Sequence, residues 1–145
     1  MLRRILPILL LAACSEDPVS EVPEGHADFG GFWDFELTVV GTPCPGDTSG
    51  QDCFGIQQDV LDVLVVDDRG GNLRGEVSGA EATLSRANAQ GSVTLTLTMD
   101  PGGRTCTGFA VEADSVRECT TNLDVVGTRR STDCSGSLTD GTPGR

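Results

Sequence analysis

Cysteine is the residue type in this chain with the widest choice of chemistry, since a thiol can bind a metal, form a disulfide, attack a substrate or be alkylated. The chain has six cysteines and a single histidine, His26. No pair has the Cys-x-x-Cys spacing of a zinc site, and the only histidine lies in the N-terminal segment 15–28, before the predicted domain, so no metal is predicted. The cysteines are Cys14, Cys44, Cys53, Cys106, Cys119 and Cys134.

The other reactive side chains do not form a convincing catalytic set. Serines are present, but a serine nucleophile needs a nearby base, and the chain has no lysine and only one histidine. Aspartates at Asp47 and Asp52, and at Asp67 and Asp68, are close enough in sequence to meet around calcium. Neither pair has the spacing of a calcium loop, so solvated acidic turns are expected instead. The sequence therefore predicts a protein that is not an enzyme and needs no cofactor.

The amino terminus has the layout of a secretory signal. Two arginines precede an apolar run, residues 5–13, which is too short to span a bilayer because spanning takes about 20 residues. The run ends in Leu11-Ala12-Ala13-Cys14, which resembles the lipobox of bacterial lipoproteins. The alternative is an ordinary secretory signal with a chance cysteine.

The lipobox resemblance implies both a modification and a location. Residues 1–13 would be a lipoprotein signal peptide that is removed, and the Cys14 thiol would carry a diacylglyceryl group. Acyl chains on Cys14 would anchor the protein to a membrane of the cell envelope. Ser15 directly after the cysteine favours the outer membrane over the inner one, with the protein periplasmic or exposed at the surface.

Residues 14–28 are predicted to be the lipidated cysteine followed by an acidic, flexible tether. Five acidic residues and two prolines leave too little apolar surface to fold, so His26 is expected to be a solvated linker residue. Removal of the signal peptide leaves 8 arginines against 22 acidic residues, a net charge of −14. Such a charge disfavours nucleic acid as a partner and attracts a basic protein or a cation.

Residues 29–140 are predicted to form one all-β domain, and residues 141–145 are predicted to be a frayed tail. Apolar and polar residues alternate in segments such as 33–39 and 93–99, with glycine, aspartate and asparagine between the segments. Short connections favour strands that pair in chain order, and closing such a sheet removes its exposed edges. The predicted barrel has eight strands, at 32–41, 56–66, 72–79, 81–86, 92–99, 104–111, 118–127 and 132–139.

Gly31-Phe32-Trp33, at the start of the first strand, resembles the G-x-W motif of the lipocalins. The resemblance implies a small antiparallel up-and-down (lipocalin-like) barrel in which Trp33 plugs one end. It also implies an arginine from late in the chain stacked on that tryptophan, and Arg129 and Arg130 are the candidates.

The five cysteines beyond Cys14 would lie in an oxidising compartment, which predicts two disulfides and one free thiol. Cys44 and Cys53 bracket the loop between the first two strands, and a bridge there would pin it. Of the remaining three, Cys106 and Cys119 are favoured as a pair if a hairpin turn is centred near residues 112–113. Cys134 would then be the free thiol.

Three functions agree with these features. The first is a membrane-anchored envelope lipoprotein that acts as a non-catalytic binding or structural module. The second is a lipocalin-like carrier of a small apolar ligand. The third is an inhibitor of a basic enzyme that attacks the envelope, such as lysozyme. An eight-stranded barrel is either filled by its own side chains or holds one small ligand, so the interior separates the first two.

Overall fold

The computed structural model describes residues 21–66 and 72–134, which form eight antiparallel strands closed into one barrel. Each strand pairs with the next, and the last pairs with the first, so the predicted up-and-down barrel is confirmed. In the described part of the chain, no helix is long and apolar enough to cross a membrane. The strands are β1 (Gly31–Val40), β2 (Gly50–Asp59), β3 (Asp62–Val66), β4 (Leu73–Ser78), β5 (Glu81–Asn88), β6 (Gly91–Met99), β7 (Thr105–Asp114) and β8 (Cys119–Arg130).

Two of the predicted strands are wrong. The segment predicted as one strand at 56–66 is divided by a turn at Val60, where φ is 58°, into the end of β2 and all of β3. A β-branched residue seldom adopts that conformation, so the sequence carries no turn signal there. The predicted strand at 132–139 is absent from its described part, residues 132–134. The barrel is closed instead by β8, in which residues 122–130 pair with residues 32–40 of β1.

The alternation of side chains places the core inside the barrel and concentrates it toward one end. On β1, Trp33 and Phe35 are buried, whereas Leu37 and Val39 further along are only half-buried. On β6 the order is reversed, because that antiparallel strand buries its last residues. Buried apolar side chains come from all eight strands: Trp33, Phe35, Ile56, Val63, Val65, Val77, Ala82, Leu84, Leu97, Met99, Cys106, Ala110, Leu123 and Val125.

The barrel therefore has two different ends. The end with the packed core is closed, and the turns at 60–61, 79–80 and 100–104 lie there. The opposite end, called the mouth below, carries the loop 41–49 and the turns at 89–90 and 115–118. Side chains that point inward near the mouth are less buried, so functional groups at this end remain reachable from solvent.

The last residues of the predicted tether pack across the closed end of the barrel. The Ala27 amide donates to the Gly79 carbonyl at 2.7 Å, and the Gly79 amide donates to His26 Nδ1 at 3.1 Å. Phe29 is fully buried, and its amide donates to Gln58 Oε1 at 2.7 Å. The prediction of a solvated His26 is therefore wrong, because backbone hydrogen bonds and one apolar anchor hold residues 26–29 despite their acidic surroundings.

Candidate functional site

The closed end is sealed by Trp33 and one of the two predicted arginines. The Arg129 guanidinium lies 4.8 Å from the centre of the Trp33 ring, a cation–π geometry. The indole Nε1 donates to the Phe29 carbonyl at 2.8 Å, and Arg129 also donates to the carbonyls of Asp28 and Gly30. Arg129 thus joins residues 28–30 to the Trp33 ring. We therefore assign the closed end a structural role.

Arg130, the other candidate, points to the outside of the barrel. Its Nη1 donates to Asp34 Oδ1 at 3.0 Å and approaches Cys53 Sγ at 3.5 Å. Because neighbouring strand residues point to opposite faces, only one of two adjacent arginines can stack on an inward tryptophan.

The first disulfide joins Cys44 to Cys119, so the predicted Cys44–Cys53 bridge is wrong. Cys44 lies in the loop 41–49, which folds over the mouth, and only 1% of its surface is exposed. Cys119 begins β8 at the same end of the barrel. Cys53 pairs with the outward-facing Asp34, so its side chain is on the other face of the sheet.

The second disulfide joins Cys53 to Cys134, and Cys106 is the free thiol. Two bridges and one free thiol were predicted, and that count is confirmed. The predicted Cys106–Cys119 pair is wrong because Cys106 lies opposite Gly127, eight residues along β8 from Cys119. That separation is about 26 Å of strand, far beyond the reach of a disulfide. The hairpin turn is centred at 115–118, about four residues later than predicted.

Cys106 has no sign of reactivity. It is buried in the core, and burial raises the pKa of its thiol to about 11. The thiolate, which is the nucleophilic form, is therefore scarce at neutral pH. The thiol packs against Gly127, where an added Cβ would lie 2.6 Å from Cys106 Sγ and 2.6 Å from the Phe35 ring. Cys106 fills core space.

The loop 41–49 is fixed over the mouth by polar contacts as well as by its disulfide. Thr121, an inward residue of β8, receives a hydrogen bond from the Cys44 amide at 2.9 Å and donates to Asp47 Oδ2 at 2.5 Å. Arg117 donates to the Pro45 carbonyl at 2.7 Å and to Asp47 Oδ1 at 3.2 Å. The loop is thereby held in one position beside the opening.

Arg117 also organises the turn between β7 and β8. Its Nε donates to Asp114 Oδ2 at 2.6 Å, and its own amide donates to Asp114 Oδ1 at 2.8 Å. These bonds lower the pKa of Asp114, and the hydrogen bond from Thr121 followed by the contacts with Arg117 lowers the pKa of Asp47. Both carboxylates are therefore ionised at neutral pH and neutralise Arg117, rather than forming the solvated acidic turn predicted for Asp47.

A cavity of about 160 Å³ lies in the mouth beside the fixed loop. Two further charged side chains, Arg86 and Glu112, line it from β5 and β7. Partial burial, and then the nearby Asp47 carboxylate, raise the pKa of Glu112, while Arg86 opposes the shift. The full lining is Cys44, Asp47, Arg86, Asn88, Gln90, Gly91, Ser92, Val93, Glu112, Ala113, Asp114 and Arg117.

Comparison with known proteins adds no assignment. No protein-family model matches the chain, and no curated protein matches it in sequence. Within residues 21–66 and 72–134, no three or more His, Cys, Asp or Glu side chains are grouped to hold a metal ion. Cys14, Asp67 and Asp68 lie outside the described residues, so the lipobox prediction stays a prediction.

The mouth is the candidate site, and most of its residues were not predicted from the sequence. It combines guanidinium, carboxylate and amide groups around a small opening, which suits non-covalent recognition of charged groups. The missed signal lies in the strand alternation: Arg86 continues the inward series of Ala82 and Leu84, and Glu112 continues that of Cys106 and Ala110. Charged residues at inward positions of a barrel strand indicate a polar opening.

Proposed function

We propose that this chain is a lipid-anchored protein of the bacterial cell envelope that acts as a non-catalytic binding module. The lipid is carried by Cys14 in the motif Leu11-Ala12-Ala13-Cys14. The barrel is held at its closed end, and its mouth points away from the membrane and meets the partner.

The observation that carries this proposal is where the chain enters the barrel. Residues 26–29 dock on the closed end through the Gly79 turn and Gln58, on the opposite side from the mouth. Between Cys14 and His26 there are 11 residues, which reach at most about 40 Å when extended. A lipid on Cys14 would hold the closed end within that distance of the bilayer, and the mouth lies at the far end of the barrel from the attachment.

The packing of the interior supports a binding module over a carrier of an apolar ligand. Side chains from all eight strands fill the closed half, and Trp33, Leu84 and Leu97 are 0–1% exposed. The lining of the mouth is largely polar, with charged groups from β5, β7, the loop 41–49 and the β7–β8 turn. An apolar molecule would have to displace core side chains in one half or desolvate charges in the other.

The negative charge of the chain favours a cationic partner. One specific form of the binding module is therefore an inhibitor of a basic enzyme. Outward positions of the strands carry acids such as Asp34, Glu36 and Glu76. A negative surface accelerates encounter with a basic protein, and salt shortens its reach to about 10 Å at 0.1 M. Association with a basic enzyme that becomes much slower as salt rises would support this form, and a salt-independent rate would contradict it.

The anchor is tested by replacing its cysteine. We expect Cys14→Ser to abolish incorporation of labelled palmitate and to release the protein from the membrane fraction, because only the thiol accepts the diacylglyceryl group. Cys106→Ser is the matched control, since it removes the other cysteine outside the two disulfides and should leave the label in place. Equal labelling of wild type and Cys14→Ser would contradict the proposal.

A further inference from the structure

Two charged side chains in the mouth have no charged or hydrogen-bonded partner among residues 21–66 and 72–134. The side chains of Arg86 and Glu112 make no ion pair or hydrogen bond with any described residue, although the two influence each other electrostatically. Arg86 pairs in register with Val93, and Val93 pairs with Glu112. The two therefore occupy one row, two strand spacings or about 10 Å apart at their backbones, on the same inward face.

The other charged side chains of the mouth contact one another. Arg117 contacts both Asp47 and Asp114, so its positive charge is neutralised and this loop network keeps one negative charge. Asp47 is held further by the Thr121 hydroxyl. Outside this network, the lining of the cavity carries one guanidinium, Arg86, and one carboxylate, Glu112, on the two strands that flank Val93.

The cavity between them is small and has a mixed lining. Its volume of about 160 Å³ is well below the 300–1,000 Å³ typical of sites for drug-sized ligands. Val93 lies between the two charges, and Cys44 closes one side. Asn88 and Gln90 provide amide groups at the edge. A matching ligand has few heavy atoms, two opposite charges and a small apolar part.

We infer that the mouth binds a small zwitterion, a free α-amino acid with a short apolar side chain. Arg86 receives its carboxylate, for which a planar guanidinium offers two parallel donors. Glu112 receives its ammonium group, and Val93 contacts its side chain. This ligand class rests on the proposed function, in which the mouth is the binding face.

One guanidinium and one carboxylate without partners favour a ligand with two opposite charges over a ligand with a single charge. An anion alone would satisfy Arg86 but would lie close to Glu112, Asp47 and Asp114. A cation alone would satisfy Glu112 but would lie close to Arg86 and Arg117. A zwitterion neutralises both unpaired groups at once, and ionised Glu112 is needed for it. Partial desolvation and the Asp47 carboxylate raise the pKa of Glu112, so affinity should begin to fall, on acidification, at a higher pH than a fully solvated glutamate would give.

The test is titration of alanine, as both enantiomers, into the oxidised full-length mature protein, followed by calorimetry and by amide chemical shifts. We expect millimolar or tighter binding, with shifts at Val93 and in the loop 41–49. Arg86→Gln and Glu112→Gln should each weaken it roughly 10- to 100-fold. Arg74→Gln and Glu76→Gln, the same changes on the outward face of β4, should leave affinity unchanged.

Acetate and methylammonium are the single-charge probes. Binding of acetate as tight as that of alanine would overturn the proposal in favour of an anion site, and equally tight methylammonium in favour of a cation site. No alanine binding at tens of millimolar, or equal losses in the mouth and control variants, would also overturn it. In any of these outcomes, palmitate labelling that still depends on Cys14 would leave the lipid-anchored module standing, so the two failures are distinguishable.

Discussion

Replacing Trp33 by alanine is expected to lower the free energy of unfolding by about 3–5 kcal/mol. The side chain is 0% exposed and lies 6.3 Å from the Phe35 ring, so its removal leaves a large cavity at the closed end. The Phe29 carbonyl loses its donor, and Arg129 loses the ring beneath its guanidinium. Urea unfolding of the oxidised domain, followed by circular dichroism, measures the loss.

The neighbouring Phe32 provides the control for Trp33→Ala. It precedes the tryptophan on β1, points outward and is 40% exposed, so Phe32→Ala should cost less than about 1 kcal/mol. Similar losses in the two variants would show that the tryptophan does not plug the barrel. The N-terminal segment should also loosen in Trp33→Ala, visible as faster hydrogen exchange at the Ala27 and Phe29 amides.

Removing the Cys44–Cys119 disulfide is the second large effect that we expect. The bridge closes a segment of 75 residues, and its loss by Cys44→Ala with Cys119→Ala should cost roughly 4 kcal/mol through the entropy of the unfolded chain. The matched control is Cys53→Ala with Cys134→Ala, which opens a segment of similar length, 81 residues. Both doubles should destabilise the barrel to a comparable degree.

The two double variants should differ in the mouth. Cys44 belongs to the loop that Thr121 and Arg117 hold over the cavity, so its release should speed hydrogen exchange at the Cys44 and Asp47 amides. Cys53 and Cys134 lie outside the barrel wall, and their loss should leave those amides protected. Equal exchange in the two doubles would mean that polar contacts alone position the loop.

The sequence predicted the barrel because its strands obey local rules. Alternation in segments such as 33–39 and 93–99 identifies the inward face, and turns such as 100–104 contain the expected glycines. The turn at Val60 was missed since only the pairing of β2 with β3 forces a valine into that conformation. Local patterns cannot show such a tertiary constraint.

The disulfides and the mouth depend on register, which the sequence determines only indirectly. A shift of about four residues in the β7–β8 turn changes the residue opposite Cys106 from Cys119 to Gly127. The loop 41–49 offers no periodicity from which its fold over the mouth could be derived. Arg86 continues an inward alternation within a predicted strand, whereas Glu112 lies at the centre of the predicted turn. Their alignment in one row follows only from the observed pairing of both with Val93.

The measurement that tests the account most directly is the orientation of the barrel on a membrane. Lipidated protein is reconstituted into vesicles that contain an acceptor dye in the headgroup region. A donor dye is attached through an azide-bearing amino acid that replaces either Val60, at the closed end, or Val116, at the mouth; these side chains are 44% and 76% exposed. Neither labelling site adds a cysteine that could disturb the disulfides.

Ten residues of a strand tilted by about 40° separate the two ends by about 25 Å, enough to distinguish the donors by energy transfer. The account predicts stronger transfer to the membrane from position 60 than from position 116. It also predicts no transfer from either position with Cys14→Ser protein, which should not bind the vesicles. Equal transfer from the two positions, or stronger transfer from position 116, would contradict a barrel held at its closed end with its mouth exposed.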